Sequence, residues 1–154
     1  MMELLDKKLI KYHTSLKTKE SIFDEIATLA VEQGIAKNKK RVVKGLTKRE
    51  TESTTGFTDG FAIPHTKDKS IKQAGIVVLV NETGIEWESM DGKPARFFIS
   101  LLIPEKEAGT THLNLLAAVS KMLVHDEVRE KLLTLDSVDA IYDHIKSYLD
   151  ENMD

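Results

Sequence analysis

The sequence predicts an α/β domain in which a mixed β-sheet is covered by helices on both of its faces, as a three-layer sandwich. Two uninterrupted apolar runs, residues 75–80 and 97–103, are rich in β-branched and aromatic side chains, which is typical of central strands. Segments with helical periodicity stand before and after these runs, so helices are available for both faces. We find no repeat and no low-complexity linker, so residues 1–154 are assigned to a single domain.

Two helices are predicted ahead of the long strands. Between residues 18 and 33 apolar side chains recur at helical spacing, with Thr18 in the N-cap position and Gly34 just past the end. A second helix follows Asn38, and Arg49 falls near the end of that helix.

Three more helices are predicted after the second long strand. The first runs through residues 113–123, and Thr110 or Thr111 can cap its start. The other two cover about residues 126–133 and 137–149, where apolar side chains again recur at helical spacing.

Composition and charge exclude several classes of protein. The apolar fraction of 41% and the charged fraction of 31% fit a soluble globular domain, and the net charge of −3 gives no basic footprint for nucleic acid. The one basic run, residues 39–41, is interpreted as a solvated helix start. Both apolar runs are far shorter than the ~20 residues that span a bilayer. The first ten residues mix acids and bases, unlike a signal peptide, so we expect no direct membrane insertion.

The chain contains no cysteine, which removes disulfides and thiolate chemistry and is compatible with the cytoplasm, where we expect the protein. It also lacks the nucleotide-binding motifs G-x-x-x-x-G-K-[ST] and G-x-G-x-x-G, the metal motif H-E-x-x-H and the nucleophile motif G-x-S-x-G. We therefore expect no cofactor. A metal site built on two histidines would need a third ligand, and no close-spaced set of His, Asp or Glu supplies one.

Histidine remains as the residue that could carry chemistry. Three of the five histidines are interpreted as surface or capping residues: His13, His125 and His144. His65 differs because it follows a short strand candidate, residues 61–63, and Pro64, whose fixed φ stiffens the exit from that strand. Position alone leaves His65 open between a loop residue and a rigid functional position.

His112 offers a companion to that histidine. It lies in the first turn of a predicted helix, where free N–H groups and the positive dipole end favour an anion. One neutral imidazole could accept a phosphoryl group while the other donates a hydrogen bond to its oxygens. Arg49 is a candidate donor to the same oxygens, although spacing does not reject a solvated helix-end cation. The hydroxyls of Thr54 and Thr55, and a backbone made approachable by Gly56, could add further contacts.

A longer segment carries a family resemblance. Residues 49–65, "RETESTTGFTDGFAIPH", resemble the signature of the fructose/mannitol-type enzyme IIA domains of the bacterial phosphoenolpyruvate:sugar phosphotransferase system, approximately R-E-x-x-x-S-T-G-I-G-x-G-x-A-I-P-H. Thr54 replaces the serine of that signature. The matching positions are Arg49, Glu50, Thr55, Gly56, Gly60, Ala62, Ile63, Pro64 and His65. The likeness covers essentially the whole chain, and residues 84–123 look like the fructose-type branch.

The resemblance implies that His65 is the phosphorylated residue and that His112 is the second active-site histidine. The histidine-containing carrier protein HPr would give its phosphoryl group to His65. From there the group would pass to a cysteine of an enzyme IIB partner, and then to a sugar that enters through the membrane-bound IIC. Fructose is the expected sugar, with related hexoses and hexitols open. The alternative is a regulatory module of the nitrogen-related type, whose phosphorylation state controls partner proteins.

One position departs from the signature in a way that bears on the loop. Thr58 stands where the signature has glycine, and Phe57 and Phe61 are bulkier than the usual aliphatic residues. A residue with a Cβ at position 58 must avoid a positive φ or bear strain, so we expect the loop to deviate there.

Overall fold

The computed structural model describes residues 3–107 and 109–153, and this part of the chain forms five strands and five α-helices. The elements, in chain order, are β1 (Leu5–Thr14), α1 (Lys19–Glu32), α2 (Lys39–Glu52), β2 (Phe61–Ala62), β3 (His65–Asp68), β4 (Gly75–Ile85), β5 (Ala95–Pro104), a 3-10 turn (Glu105–Glu107), α3 (Thr110–Val124), α4 (Asp126–Thr134) and α5 (Val138–Asn152). No helix among these residues is long and apolar enough to cross a membrane.

The strands form one mixed sheet in the order β1-β4-β5-β2, with β3 also paired to β5. β1 runs parallel to β4, β4 runs antiparallel to β5, and both β2 and β3 run parallel to β5. The two apolar runs of the sequence are the central strands β4 and β5, so the prediction of a mixed sheet around them is confirmed.

Each face of the sheet carries its own hydrophobic core. Side chains alternate along β4, so Ile76 and Val78 point to one face while Val77 and Leu79 point to the other, and all four are fully buried. The first face is covered by α3, α4 and α5, and the second face is covered by α1 and α2. The predicted three-layer arrangement is therefore confirmed.

The first two helices begin where the sequence predicts. The Thr18 side chain accepts a hydrogen bond from the backbone N–H of Ser21 at 3.0 Å, and the Asn38 side chain accepts one from Arg41 at 3.1 Å. Each bond satisfies one of the N–H groups that have no partner inside the helix. Past the end of α1, Gly34 has a φ of 79°, a left-handed conformation that glycine adopts readily.

The start of α3 differs from the prediction that a threonine caps it. The helix begins at Thr110, its N-cap is Gly109, and no side chain caps it by a hydrogen bond. The side chain of Thr111 lies outside the described residues. The first turn of α3 therefore has backbone N–H groups that no side-chain cap satisfies, at the end of the helix that carries His112.

The sequence analysis did not predict β1. Two features hide it: its register with β4 shifts twice, and the adjacent residues Leu9 and Ile10 are both buried, against opposite faces of the sheet. Exposed lysines at positions 7, 8 and 11 break the apolar pattern further. Charged residues are common on edge strands, where they discourage pairing with other chains, and here they mask the strand signal.

The segment around Pro64 also differs from the prediction, which placed His65 at the exit of a strand. β2 ends at Ala62, and β3 resumes the strand at His65. Between them Pro64 still accepts a hydrogen bond from the backbone N–H of Leu101 on β5, at 3.0 Å. A proline lacks an N–H, so it interrupts the ladder without diverting the strand. His65 therefore lies in a strand that pairs with β5, just after a segment, β2, that pairs with the same strand.

Candidate active site

His65 opens β3, with its backbone opposite Leu101 of β5, and only 5% of its surface is exposed. Its ring Nδ1 lies 2.7 Å from the carbonyl oxygen of Ile63. A carbonyl oxygen has no proton to donate, so Nδ1 must carry the hydrogen and donate it. In the neutral ring this leaves the lone pair on Nε2, and the hydrogen bond makes Nε2 the nucleophilic atom of His65.

His112 stands beside this ring. The centroids of the two imidazoles are 5.5 Å apart, and their planes are inclined by 54°. His112 lies in the first turn of α3, and among the described residues its buried Nδ1 has no hydrogen-bond partner. The two histidines that the sequence singled out are therefore brought together, one in a sheet and one at a helix start.

Both histidines line a pocket between α2, β3 and the first turn of α3. The charged side chains of its lining are five cations, Arg41, Lys44, Lys48, Arg49 and Lys67, and two carboxylates, Glu52 and Asp68. Arg41 and Asp68 are joined by two hydrogen bonds of 3.0 Å each. Within the described part of the chain no ion pair reaches Lys44, Lys48 or Lys67. The excess of unpaired cations favours an anion in this pocket, in a chain whose net charge is −3.

Burial lowers the pKa of both imidazoles. For His65 burial is the largest cause, Arg49 and His112 lower the pKa further, and the hydrogen bond to Ile63 opposes them. For His112 burial again lowers the pKa most, followed by the charges of Lys67 and Arg49. Both rings are therefore neutral near pH 7, which is the form that offers a lone pair to an electrophile.

Of the four residues predicted to bind a phosphoryl group, Arg49 lines the pocket. Its Nη1 donates to the backbone oxygen of Ser53 at 2.9 Å and contacts the Ser53 hydroxyl at 3.3 Å. This leaves the other nitrogens of the guanidinium group, on a residue at the end of α2, without a hydrogen bond in the described structure.

Thr54, Thr55 and Gly56 lie in the loop after α2 and are not part of the pocket lining. The Thr54 hydroxyl donates to the backbone oxygen of Trp87 at 2.8 Å, and the Thr55 hydroxyl donates to Glu50 at 2.5 Å. Since a hydroxyl has one proton, both donors are already engaged, one with the chain after β4 and one with α2. A phosphoryl-binding role for these three residues stays a prediction.

Gly56 lets the loop approach the chain that follows β4. A Cβ on Gly56 would lie 2.8 Å from the Cα of Ser89 and 3.0 Å from the backbone oxygen of Trp87. Real Cβ atoms essentially never come this close to backbone, so only glycine fits here without a shift of the loop.

Thr58 does not take a positive φ. The left-handed conformations of the loop fall instead on Asp59, with a φ of 53°, and on Gly60, with a φ of 86°. The Asp91 carboxylate accepts hydrogen bonds from the Thr58 hydroxyl at 3.0 Å and from the Asp59 backbone at 2.9 Å. The loop thus accommodates a side chain at position 58, and Asp59 is one of the few residue types that tolerate the left-handed region.

Several residues of the site were not predicted from the sequence. Lys44 and Lys48 face the pocket from α2, and Lys67 faces it from β3. The spacing of Arg41, Lys44 and Lys48, three and then four residues apart on a helix, was a signal that they share a face. No sequence signal marked Gly45, where a Cβ would lie 2.5 Å from the Thr66 hydroxyl oxygen, so that α2 can lie close to β3.

The remaining histidines lie away from the pocket. His13 is exposed with its Nδ1 3.0 Å from Glu82, His125 caps the junction of α3 and α4, and His144 lies on α5 with a buried Nε2. Among the described residues no group of three or more His, Cys, Asp or Glu could hold a metal ion.

The fold is a mixed α/β sandwich, and its pocket places two histidines among cationic side chains. These features define a class of small protein that can receive an anionic group. Comparison with known proteins makes the class specific. The family described as "Phosphoenolpyruvate-dependent sugar phosphotransferase system, EIIA 2" matches residues 3–148. The chain belongs to this family, as the signature around His65 indicated, and its members are phosphotransfer proteins.

Two curated relatives are named for fructose. The chain is 34% identical over 135 residues to the fructose-specific EIIA component of Haloferax volcanii, which covers 88% of this chain and 87% of that protein. It is also 34% identical over 146 residues to the fructose-specific EIIABC component of Bacillus subtilis, which covers 95% of this chain. The chain spans only 23% of the length of that EIIABC component.

Solved structures share the fold. The nitrogen regulatory protein IIA-Ntr of Neisseria meningitidis superimposes with a TM-score of 0.85 at 27% identity, over 92% of this chain and 96% of that one. The mannitol enzyme IIA of Escherichia coli, in its complex with phosphorylated enzyme IIB, superimposes with a TM-score of 0.78 at 19% identity, over 94% and 99% of the two chains. A nitrogen regulatory protein and a mannitol enzyme IIA therefore share this architecture.

Proposed function

We propose that this protein is a cytoplasmic phosphocarrier of sugar uptake, which accepts a phosphoryl group on Nε2 of His65 from phospho-HPr and passes it to a cysteine of an enzyme IIB. The observation that carries the proposal is the hydrogen bond from Nδ1 of His65 to Ile63 at 2.7 Å, which leaves Nε2 with the lone pair in a pocket rich in cations. Fructose or a related sugar is the proposed cargo, because two relatives at 34% identity carry that name.

The transfer needs little chemistry from the protein. The lone pair of His65 Nε2 forms a bond to phosphorus as the P–N bond of the donor histidine breaks, and that electron pair returns to the donor ring. In the second step a cysteine thiolate of the acceptor attacks phosphorus, and the P–N electron pair returns to Nε2 of His65. Phosphoryl transfer of this kind depends mainly on positioning and on stabilising the charge of the three equatorial oxygens.

Three groups are proposed to stabilise those oxygens. Arg49 supplies a planar donor from the end of α2, and His112 supplies a second imidazole 5.5 Å from His65 between ring centroids. The first turn of α3 supplies backbone N–H groups that no side chain caps. Thr54, Thr55 and Gly56 would join them only if the loop exchanges its present hydrogen bonds for the phosphoryl oxygens.

The partners follow from the chemistry and from the relatives. The described residues contain no cysteine and the sequence has no nucleotide-binding motif, so we propose that the donor and the acceptor of the phosphoryl group lie outside these residues. The IIA relative from E. coli was solved with a phosphorylated IIB, and the B. subtilis relative carries A, B and C components in one chain. A IIB is therefore the proposed acceptor, and HPr is the proposed donor.

A regulatory role is the second candidate. The observation that favours it is the TM-score of 0.85 to a nitrogen regulatory IIA, at 27% identity. A second nitrogen regulatory protein, from Pseudomonas aeruginosa, is 29% identical over 125 residues. Such a protein would use the same histidine but would act through the binding of a partner that responds to its phosphorylation state.

The decisive experiment mixes the protein with phosphoenolpyruvate, enzyme I and HPr. We expect a label that is labile in acid and stable in base, and we expect it to be absent from His65→Ala, because among the described residues no other nitrogen combines this hydrogen bond with the cationic pocket. His13→Ala, which removes an exposed histidine on β1, is the matched control and should label fully. Full labelling of His65→Ala would overturn the site.

Transport and regulation are separated by the acceptor. We expect the labelled protein to transfer its phosphoryl group to the cysteine of a fructose-type IIB. If no IIB accepts the phosphoryl group while His65 is phosphorylated, the result supports the regulatory role and the transport role is wrong.

A further inference from the structure

We infer that Glu50 is a positioning residue for phosphoryl transfer, which holds the hydrogen-bonded turn that keeps the proton of His65 on Nδ1 and the lone pair on Nε2. The inference rests on the proposed role of His65 and deepens it. Glu50 is the second residue of the signature segment, and neither its position nor the resemblance gave it a role.

Glu50 holds the loop by two hydrogen bonds to Thr55. One oxygen of its carboxylate accepts the backbone N–H of Thr55 at 2.7 Å, and the other accepts the Thr55 hydroxyl at 2.5 Å. A charged acceptor makes both bonds stronger than bonds between neutral groups. Glu50 therefore ties the end of α2 to the loop five residues later by two bonds to one residue.

Two further hydrogen bonds connect Thr55 to the nucleophile. The carbonyl oxygen of Thr55 accepts the backbone N–H of Ile63 at 3.0 Å, and the carbonyl oxygen of Ile63 accepts the ring Nδ1–H of His65 at 2.7 Å. These bonds form a path from the Glu50 carboxylate to the imidazole that passes through the Cα atoms of Thr55 and Ile63, because the N–H and C=O of one residue belong to different peptide groups. Glu50 therefore acts by position: it fixes Thr55, and Thr55 fixes Ile63, whose carbonyl oxygen accepts the His65 proton.

Trp87 also supports the loop, by a hydrogen bond to Thr55. The indole N–H of Trp87 donates to the Thr55 hydroxyl oxygen at 3.3 Å, and Trp87 is fully buried between α1 and the sheet. The Thr55 side chain is itself buried, so its hydroxyl has a donor and an acceptor that are both protein groups. Loss of either partner would leave a buried polar group unsatisfied, which makes this path sensitive to single substitutions.

Glu50 makes its hydrogen bonds to Thr55 and not to His65, although its negative charge also opposes the larger effect of burial, which lowers the pKa of His65. It is not among the residues that line the pocket, whereas its neighbour Arg49 is. The two adjacent residues thus have different roles. Arg49 faces the pocket in which the anion would bind, and Glu50 faces the loop. A carboxylate committed to two donors also presents less free negative charge to an incoming phosphoryl group.

The test measures the tautomer of His65 and the rate of its phosphorylation in matched variants. Thr55→Val removes the hydroxyl and keeps the shape, Thr55→Ser keeps the hydroxyl, and Glu50→Ala removes both bonds. Nitrogen chemical shifts of the His65 ring, recorded at pH 8 without any phosphoryl donor, report the tautomer. Wild-type protein should show hydrogen on Nδ1 alone. Thr55→Val and Glu50→Ala should show a mixture, with phosphorylation slowed roughly tenfold, and Thr55→Ser should restore both readouts.

Glu130→Gln is the charge control, because it removes an exposed carboxylate of α4 and should change neither readout. If Thr55→Val and Glu50→Ala keep the wild-type tautomer, the inference is wrong even if these variants are less stable. If Glu50→Ala does not fold, the Thr55→Val and Thr55→Ser pair decides alone. The tautomer needs no partner protein, so this arm stays separate from a failure of the proposed phosphocarrier role, which would appear as unlabelled wild-type protein.

Discussion

The two histidines of the pocket are held in opposite ways. His65 is 5% exposed, lies on a strand paired to the central strand β5 and has its Nδ1 hydrogen-bonded to Ile63. His112 is half-buried in the first turn of a helix without a side-chain cap, and its Nδ1 has no partner among the described residues. The other end of α3 is secured by the buried Arg129, which donates to the carbonyl oxygen of Leu123 at 2.5 Å.

This difference between the two histidines suits a phosphoryl group that is first accepted and then passed on, as proposed above. The nucleophile needs one tautomer and one orientation in both steps, and the sheet and the Ile63 carbonyl supply them. In the proposed relay, the second imidazole would have to follow the phosphoryl oxygens as they move between His65 and two different partners. His112 lines the pocket and its Nδ1 is buried, so Nε2 is the nitrogen of that ring that would donate a hydrogen bond to those oxygens.

His112→Ala tests the role of the second histidine of the pocket. It should cause the largest change, in the rate of onward phosphoryl transfer. We expect the protein still to be phosphorylated on His65, because the nucleophile is held by other elements. Onward transfer to a IIB should slow roughly a hundredfold, since removal of one donor to a transition-state oxygen has effects of this size. Single-turnover transfer from the labelled protein to a IIB measures it.

His144→Ala is the matched control for that substitution, because it removes a partly buried histidine on α5, outside the pocket. Onward transfer at the wild-type rate in His112→Ala would show that the second histidine is not part of the mechanism. The contrast between the two sides of the pocket would then have no functional meaning.

The sequence predicted the sheet and the histidine pair, and the reasons it missed other parts are physical. Apolar runs with no polar break, as in β4 and β5, identify strands that are covered on both faces. β1 was missed because an edge strand with shifted register lacks that pattern. The strand beyond Pro64 was missed because proline normally ends a strand, whereas here the ladder with β5 continues past it.

The finer structure of the site depends on contacts between distant parts of the chain. Nothing local in the sequence shows that the Thr55 hydroxyl lies between Glu50 and Trp87, which are 37 residues apart along the chain. Thr54 and Thr55 were predicted as phosphoryl ligands from residue type alone. Their present hydrogen bonds could be found only once the loop and the end of β4 were placed side by side.

Gly45→Ala tests how closely α2 packs against β3, the strand that carries His65. Its effect on stability should be smaller than the effect of His112→Ala on phosphoryl transfer. The new Cβ would lie 2.5 Å from the Thr66 hydroxyl oxygen and 3.3 Å from the Thr66 Cβ, so α2 and β3 must separate or Thr66 must shift. Overpacking of this kind costs ~1–3 kcal/mol, against which alanine in a helix gains ~0.5–1 kcal/mol over glycine. We expect a net loss of ~1 kcal/mol in the free energy of unfolding, measured by chemical denaturation.

Thr66→Ala supplies the control for that substitution. In its background the side-chain oxygen and methyl group are gone, so Gly45→Ala should become neutral or slightly stabilising through helix propensity. The same loss in both backgrounds would show that the close approach of α2 to β3 is not what makes a side chain at position 45 unfavourable.

The pH dependence of stability tests whether burial acts on both histidines, and it should be the smallest effect. Burial lowers the pKa of His65 and of His112 in the folded protein, below the value of about 6.5 expected in the unfolded chain. As pH falls below about 6.5, the unfolded chain binds protons that the folded protein does not. The free energy of unfolding should therefore decrease over that range and level off below the folded pKa values.

The measurement is chemical denaturation between pH 7.5 and pH 5, set beside the rate of His65 phosphorylation by a small-molecule donor at the same pH values. Because the folded ring stays neutral below about pH 6.5, phosphorylation should persist to lower pH than it would for a solvent-exposed imidazole. The variant His65→Asn/His112→Asn should lose part of the slope of stability against pH. An unchanged slope would show that burial does not hold these two rings neutral.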